Sequence, residues 1–238
     1  MRAARLVNDA LGRFGYRVGR VRSEATMEAG LRRAAQRGIE VATFVDVGAS
    51  DGSWSDLARI YFPESRYLLI EANAVHEPAL QAFTKRVPGS AYVLAAAGDR
   101  DGELFFDARD PFGGVASAEQ KPGMDVVPAT TVDRQVEQHA LPAPFALKLD
   151  THGFEASILA GAAKLLGEAS LLVIESYNFE LFPGALRFHE LCAHLDPLGF
   201  RPIDLVDPMY RSRDGAFWQC DLFFARSDRP EFASSNYD

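Results

Sequence analysis

Five short apolar runs alternate with helical patterns: VATFVDV (41–47), YLLIEAN (67–73), AYVLAAAG (91–98), FALKLDT (145–151) and LLVIES (171–176). Each is mostly apolar and too short for an ordinary helix. Runs apolar on every position belong to strands covered on both faces, as in a parallel sheet between helices. The intervening segments SWSDLARIYF (53–62), HEPALQAFTKRV (76–87), TTVDRQVEQHA (130–140), FEASILAGAAKLL (154–166) and ALRFHELCAHLDPLG (185–199) supply those helices. Ser53 is available as an N-cap for the first, and Thr131 or Asp133 for the third. The runs FRPIDLV (200–206) and WQCDLFFAR (218–226) follow with no helix between them and are close enough to pair as a hairpin. Right-handed crossovers make the main sheet parallel. The expectation is an α/β fold: a seven-stranded Rossmann-like sheet, mostly parallel with an antiparallel last strand, with helices on both faces.

The rest of the chain sets boundaries on this core. Residues 4–18 place Leu6, Val7, Ala10, Leu11 and Phe14 near helical spacing, and a second short helix fits 25–37. The expected organisation is a helical N-terminal extension (1–40), one domain (41–226) and a C-terminal tail (227–238). Asp101–Gly102 reads as a hairpin turn leading into ELFFDA. Residues 107–129, rich in Gly, Pro and Asp, read as a long loop able to act as a lid, mobile without ligand. The first 40 residues carry nine arginines against four acids, whereas the whole chain carries −8. The main body is therefore acidic, which disfavours nucleic-acid binding. The basic N-terminal segment reads as a solvated helix face, the alternative being a peripheral contact with an anionic membrane or an acidic protein. No apolar run approaches the ~20 residues of a membrane span. The first residues have arginines but no apolar signal core, and Cys192 and Cys220 show neither metal-ligand spacing nor a disulfide framework, so a cytoplasmic protein is expected.

The chemistry gathers at strand ends. VDVGASDGSW (45–54) can be read in two ways. GASDG fits the G-x-S-x-G elbow of a serine hydrolase, with Ser50 as nucleophile and His152, His189 or His194 available as base. That elbow normally follows several strands and an oxyanion segment, and neither precedes residue 41. The alternative is a cofactor turn at the first strand of the sheet, where Gly48 and Gly52 permit close backbone approach. Glu71, closing the next strand, can accept hydrogen bonds from two ribose hydroxyls. The dinucleotide fingerprint G-x-G-x-x-G is missing, because Ser50 and Ser53 fill its second and third glycine slots. Asp46 and Asp51 at the turn suit a ligand with a sulfonium and an ammonium better than a diphosphate. Seven strands with an antiparallel final pair are also the arrangement of class I S-adenosylmethionine (SAM) methyltransferases.

Several segments make the resemblance specific: FVDVGASDGSWS (44–55), LLIEAN (68–73), AAAGDRDGELFF (95–106), TTVDRQV (130–136), FALKLDTHGFEASILAGA (145–162) and the tail 173–205. Through them the chain resembles the FkbM family of SAM-dependent methyltransferases, from about 40 to 226. The K-h-D-x-x-G-x-E block at 148–155 is the most family-like part. The resemblance implies SAM as cofactor and O-methylation of a hydroxyl on a sugar, glycan, polyketide or similar glycosylated metabolite. It places Asp46, Gly48, Ala49, Ser50, Asp51, Gly52 and Ser53 around the methionine end. Glu71 falls on the ribose, flanked by Ala72 and Asn73, and Ala97 with Gly98 lies against the adenine. Asp150, Thr151, His152 and Gly153 face the reaction centre, although His152 departs from the polar residues common in the family.

Asp150 and Glu175 end adjacent strands, so both carboxylates point toward one cleft. With His152 they are the expected catalytic residues, orienting or deprotonating the acceptor. Asp150 and Glu175 together could instead hold a divalent cation such as Mg²⁺, but two carboxylates are sparse ligation for an ion wanting about six oxygens. Tyr177, Asn178 and Phe182 suit acceptor binding. Lys148 is expected to be buried along the sheet beside an acid, and Glu155 to favour the first turn of its helix. Beside methyl transfer stand two other readings, a catalytically silent SAM-fold binding or scaffold module and the serine hydrolase.

Overall fold

The computed structural model describes residues 24–237, together with Leu11; the helix expected over 4–18 otherwise lies outside them. A seven-stranded sheet forms the centre. Its strands are β1 (Thr43–Val47), β2 (Arg66–Glu71), β3 (Ala91–Leu94), β8 (Phe145–Leu149), β9 (Ala169–Tyr177), β10 (Phe200–Tyr210) and β11 (Phe217–Arg226). They are ordered β10-β11-β9-β8-β1-β2-β3. β1 pairs in parallel with β2 and β8, and the same sense continues to β3 and β9. β11 runs antiparallel between β9 and β10. The expected hairpin is therefore formed, and its second strand is threaded inside the sheet rather than along its edge. This is the class I methyltransferase arrangement. Strand order reverses direction between β1 and β8, so their carboxyl ends frame a crevice at the topological switch point.

Both faces of the sheet are covered because every residue of β1 and β8 is buried. On one face α4 (Val132–Gln138), α5 (Glu155–Ala160), α6 (Ala163–Glu168) and α7 (Phe188–Leu195) pack over Val45, Leu147, Ile174 and Phe224. On the other, α1 (Met27–Gln36), α2 (Ser53–Tyr61) and α3 (Glu77–Arg86) cover Phe44, Tyr67, Val173 and Phe223. α1 belongs to this cover. A Cβ on Gly30 would lie 2.8 Å from the Phe223 ring, so only glycine lets the helix approach so closely. Its first amide, Met27 N, donates to Asp207 Oδ2 at 2.8 Å. Arg33 and Arg37 both bind Asp204 of β10, so part of the basic N-terminal charge is neutralised inside the fold. Among the described residues no helix is long and apolar enough to cross a membrane.

Five local expectations are corrected. The run at 91–98 divides at Ala95: β3 stays in the main sheet, while β4 (Ala96–Ala97) joins a second sheet with β5 (Gly102–Asp107), β6 (Val115–Ser117) and β7 (Asp125–Thr130). Asp101–Gly102 does not close a hairpin, because β4 pairs with β7 and Gly102 lies opposite Ala129 of β7. Residues 107–129 accordingly hold two strands, with irregular segments on either side of β6. Pro128 inside β7 disguised that strand, since proline cannot donate to a ladder. Ser53 is not the N-cap of α2; that place falls to Gly52 at φ +81°. The helical run 154–166 also breaks into α5 and α6. A Cβ on Gly161 would meet the Gly98 carbonyl oxygen at 2.0 Å, so the chains touch backbone to backbone. Asp133 accepts from Lys164 N and Leu165 N, both at 2.9 Å, and so caps the new start.

Candidate active site

The crevice begins at the turn between β1 and α2. Gly48 N and Ala49 N both donate to the Ile70 carbonyl, which ties the turn to β2. Gly48 has φ +71°, and a Cβ there would stand 2.1 Å from the Asp150 carbonyl oxygen. Gly48→Ala should therefore both strain the backbone and overpack the strand end, a loss of about 1–3 kcal/mol from overpacking alone. Denaturant unfolding measures it; an unchanged midpoint would refute the close approach. Ser50 is also left-handed, at φ +49°. Its amide donates to Glu71 Oε2 at 2.7 Å, and Asn73 N donates to Glu71 Oε1 at 2.7 Å. Glu71 is thus an ordered carboxylate, 6% exposed, on the cavity wall.

Ser50 Oγ lies 3.4 Å from His76 Nε2, and the same nitrogen is 2.8 Å from the Pro111 carbonyl. A carbonyl only accepts, so Nε2 carries a proton and cannot take one from Ser50. His76, the histidine beside Ser50, therefore cannot serve as its base.

Beneath the turn lies a charged pair inside the sheet. Asp46 and Lys148 are register neighbours on β1 and β8. Lys148 Nζ is 3.0 Å from Asp46 Oδ1, 3.6 Å from Asp150 Oδ2, and donates to the Gly48 carbonyl at 2.9 Å. Ser55 donates to Asp46 Oδ2 at 2.7 Å. Asp46 Oδ1 takes no well-aligned hydrogen bond and is held by the ion pair alone. Burial by itself would lower the lysine's pKa, but Asp46 and Asp150 more than offset it and hold it above its ordinary value. Asp46, fully buried, therefore props the turn from behind rather than facing a ligand.

The cavity, ≈ 280 Å³, opens between the carboxyl ends of the main sheet and the small sheet. Of the residues expected at a cofactor, Gly48, Ala49, Ser50, Ser53, Glu71, Ala72 and Ala97 line it. Asp46, Asp51, Gly52, Asn73 and Gly98 do not. Asp51 is exposed and accepts from Ser53 N, Asn73 caps Val75 N, and Gly98 abuts Gly161. The Trp54 indole Nε1 is buried with no partner although its side chain lines the cavity. The roof is Phe106 of β5 and Ala116 of β6, with Pro111 and Phe112 from the turn joining those strands.

At the other end stands His152, itself left-handed at φ +52°. Its Nδ1 is 3.1 Å from Glu175 Oε2 and 2.9 Å from the Tyr177 hydroxyl, which itself donates to Glu175 Oε2 at 2.5 Å. Gln219 donates to the other oxygen, Glu175 Oε1. Nδ1 therefore carries a proton. The hydrogen bond to Glu175 raises the imidazole pKa to about 9 against the opposing effect of burial, helped by the charges of Glu175 and Asp150 and by the Phe112 carbonyl. Asp221 sits opposite Glu175 on β11 and is pushed up to about 7 by burial and by the carboxylates of Glu175 and Asp150. Glu155 accepts from Gly153 N at 2.8 Å and from Thr151, and burial raises its pKa. It organises the 150–155 turn.

Asp150, His152 and Glu175 offer ligand atoms within 4.8 Å of one another. The donor set does not fit a cation. Glu175 already accepts from Gln219, Tyr177 and His152, and Lys148 stands beside Asp150. The residues expected at the acceptor are engaged internally. Tyr177 supports Glu175, Asn178 Nδ2 donates to the Phe217 carbonyl at 3.2 Å, and Phe182 packs where a Cβ on Gly153 would lie. Gln219, Asp221 and His76 escaped sequence reasoning. The first two are polar residues at alternate positions of an apolar strand, a signal readable only once the strand's register is known. His76 follows β2 without any motif.

A family model described as Methyltransferase FkbM domain matches residues 46–202, more than half of the chain. The chain belongs to the FkbM methyltransferase family. No curated protein sequence matches it. Among solved structures, the FkbM methyltransferase of Methylobacillus flagellatus KT is similar at 17% identity and TM-score 0.48, covering 76% of this chain and 43% of that one. The chain thus spans less than half the length of that FkbM protein. The 1,6-didemethyltoxoflavin-N1-methyltransferase of Burkholderia thailandensis, solved with S-adenosylhomocysteine and its acceptor, gives 15% identity and TM-score 0.45, covering 95% and 87%. The N-methyltransferase NodS of Bradyrhizobium japonicum WM9 gives 9% and 0.46, covering 84% and 93%.

Proposed function

We propose that this FkbM methyltransferase transfers the methyl group of SAM to a hydroxyl of a sugar, glycan or glycosylated metabolite, with His152 as general base. The single observation that carries this reading is one cavity with two differently prepared ends. Glu71, an ordered carboxylate, waits at one, and a His–Glu pair stands at the other. SAM fits the first end: small residues at Gly48, Ala72 and Ala97 leave room for it, and Glu71 can accept from ribose hydroxyls. The cofactor, when bound, supplies an electrophilic methyl on a sulfonium.

The chain's own residues do the rest. Glu175, fixed by Gln219 and Tyr177, accepts from His152 Nδ1 and leaves Nε2 as the nitrogen available to the acceptor. An alcohol is a poor nucleophile until its proton is taken, so a carboxylate-backed imidazole suits oxygen better than an amine, which attacks without such help. Proton transfer to His152 is favoured because Glu175 stabilises the imidazolium. Asp150, beside Lys148, lines the cavity between the two ends. The carboxylate-rich surroundings also favour a cationic sulfonium.

Glu71→Ala should weaken SAM binding about 10–100-fold, since hydrogen bonds to a charged group contribute roughly 1.5–3 kcal/mol. Calorimetric titration with SAM measures it; equal affinity in a folded variant would overturn the ribose assignment. Turnover with labelled SAM across a panel of hydroxylated acceptors tests the function itself. Methylation confined to amines would sink the O-methyl reading, and binding without turnover on any acceptor would favour the silent module.

A further inference from the structure

His76 occupies a place that the methyl-transfer reading does not use. It lies just beyond β2, 7% exposed, and meets two parts of the molecule. Its Nε2 touches Ser50 of the cofactor turn and the Pro111 carbonyl of the β5–β6 turn, and its ring packs against Phe112 with centroids 5.5 Å apart. Phe112 is 71% exposed although it lines the cavity. The neighbouring carbonyl, that of Phe112, faces His152 and supports its protonated form. The tip 111–112 therefore lines the cavity and is held by His76 at the Glu71 end.

We propose that His76 is a positioning residue that couples cofactor occupancy to the placement of this tip, which forms part of the wall against which the acceptor sits. The inference rests on the reading of the Glu71 end as the cofactor site. Ser50 is the link. Its amide is bound to Glu71 and its hydroxyl faces His76, so a ligand that engages Glu71 and this turn alters the surroundings of the Nε2 proton. That proton is shared between Ser50 Oγ and the Pro111 carbonyl. A ligand that draws Ser50 away leaves it wholly to Pro111, and one that offers Ser50 a new donor does the reverse. In either case the tip and the turn respond together. The expected movement concerns 108–114 alone, since the strands on either side are paired in the small sheet.

The test compares the wild type with His76→Phe, which keeps a ring for Phe112 but has no N–H, and with His76→Gln, which keeps a donor. Hydrogen exchange over 108–114 is followed with and without S-adenosylhomocysteine, alongside acceptor KM and kcat. In the free protein, exchange in 108–114 should be at least fivefold faster in His76→Phe than in the wild type. S-adenosylhomocysteine should change exchange there in the wild type and not in His76→Phe, while its Kd stays within about threefold. Acceptor KM should rise tenfold or more with a smaller change in kcat, and His76→Gln should recover part of both effects. Equal free-state exchange in His76→Phe and wild type overturns the proposal, as does an undiminished response to ligand. If S-adenosylhomocysteine binds neither protein, the cofactor reading fails, and the free-state comparison still decides whether His76 holds the tip. Should His76→Phe not fold, the same free-state comparison is made with His76→Gln and Phe112→Ala. Phe112→Ala, a change at an exposed side chain, should loosen the tip by removing the ring contact, and exchange unchanged in both variants overturns the proposal.

Discussion

His152→Gln should lower kcat by about 10²–10⁴-fold, the usual contribution of a positioned general base, with little change in SAM affinity. The pH profile gives the sharper result. His152 is raised from 6.5 to about 9 in the ligand-free protein, chiefly by its hydrogen bond to Glu175. At neutral pH the imidazole is mostly charged, and a base must be neutral. Activity should therefore climb through pH 7–9 and level off above. A bound sulfonium shifts the rise toward lower pH, because a nearby cation disfavours the imidazolium. The variant should lose this limb. A flat wild-type profile between pH 6 and 9 would remove His152 from the base role. Stability follows the opposite trend. A folded pKa above the unfolded value stabilises the native state fully below about pH 6.5, and that contribution is lost as pH rises through about 9. The linkage amounts to about 3 kcal/mol, so the protein should be less stable where His152 is neutral.

Lys148→Met should produce the largest loss of stability in the chain. Asp46 is fully buried, and its Oδ1 depends on Lys148 alone. Removing one member of a buried pair leaves an uncompensated charge, at a cost of about 3–5 kcal/mol. The double variant Asp46→Asn with Lys148→Met should recover much of this, because it leaves no isolated charge. Denaturant midpoints of the two variants decide it. A Lys148→Met protein as stable as wild type would mean that Asp46 is not charged in the native state.

The sheet was legible because its strands are continuous apolar runs with helical patterns between them, and TFVDV and FALKL are buried at every residue. The small sheet was not. Its strands are short and half exposed, and Pro128 lies within one of them. Sequence order placed Asp150, His152 and Glu175 at adjacent strand ends, and the structure brings them together. It could not tell which carboxylates face the cavity. Asp46 and Glu71 both sit at the carboxyl side of neighbouring strands, yet Asp46 is enclosed by Lys148 and Ser55 while Glu71 lines the opening. That difference comes from the packing of α2 beneath the turn, which no local pattern encodes. Gln219 was invisible for a related reason: its contact with Glu175 depends on the register of two strands 44 residues apart.

The threading of β11 between β9 and β10 has a consequence for assembly. β10 leaves the ribosome before β11 but cannot take its place beside β9, because that position belongs to the strand still to come. A nascent chain thus holds an unfilled slot next to Glu175 until residues 217–226 insert. Those residues bring Gln219 to one oxygen of Glu175 and Asp221 to the neighbouring position. The insertion that closes the sheet is thus also what supplies Gln219 to Glu175, the carboxylate that holds His152.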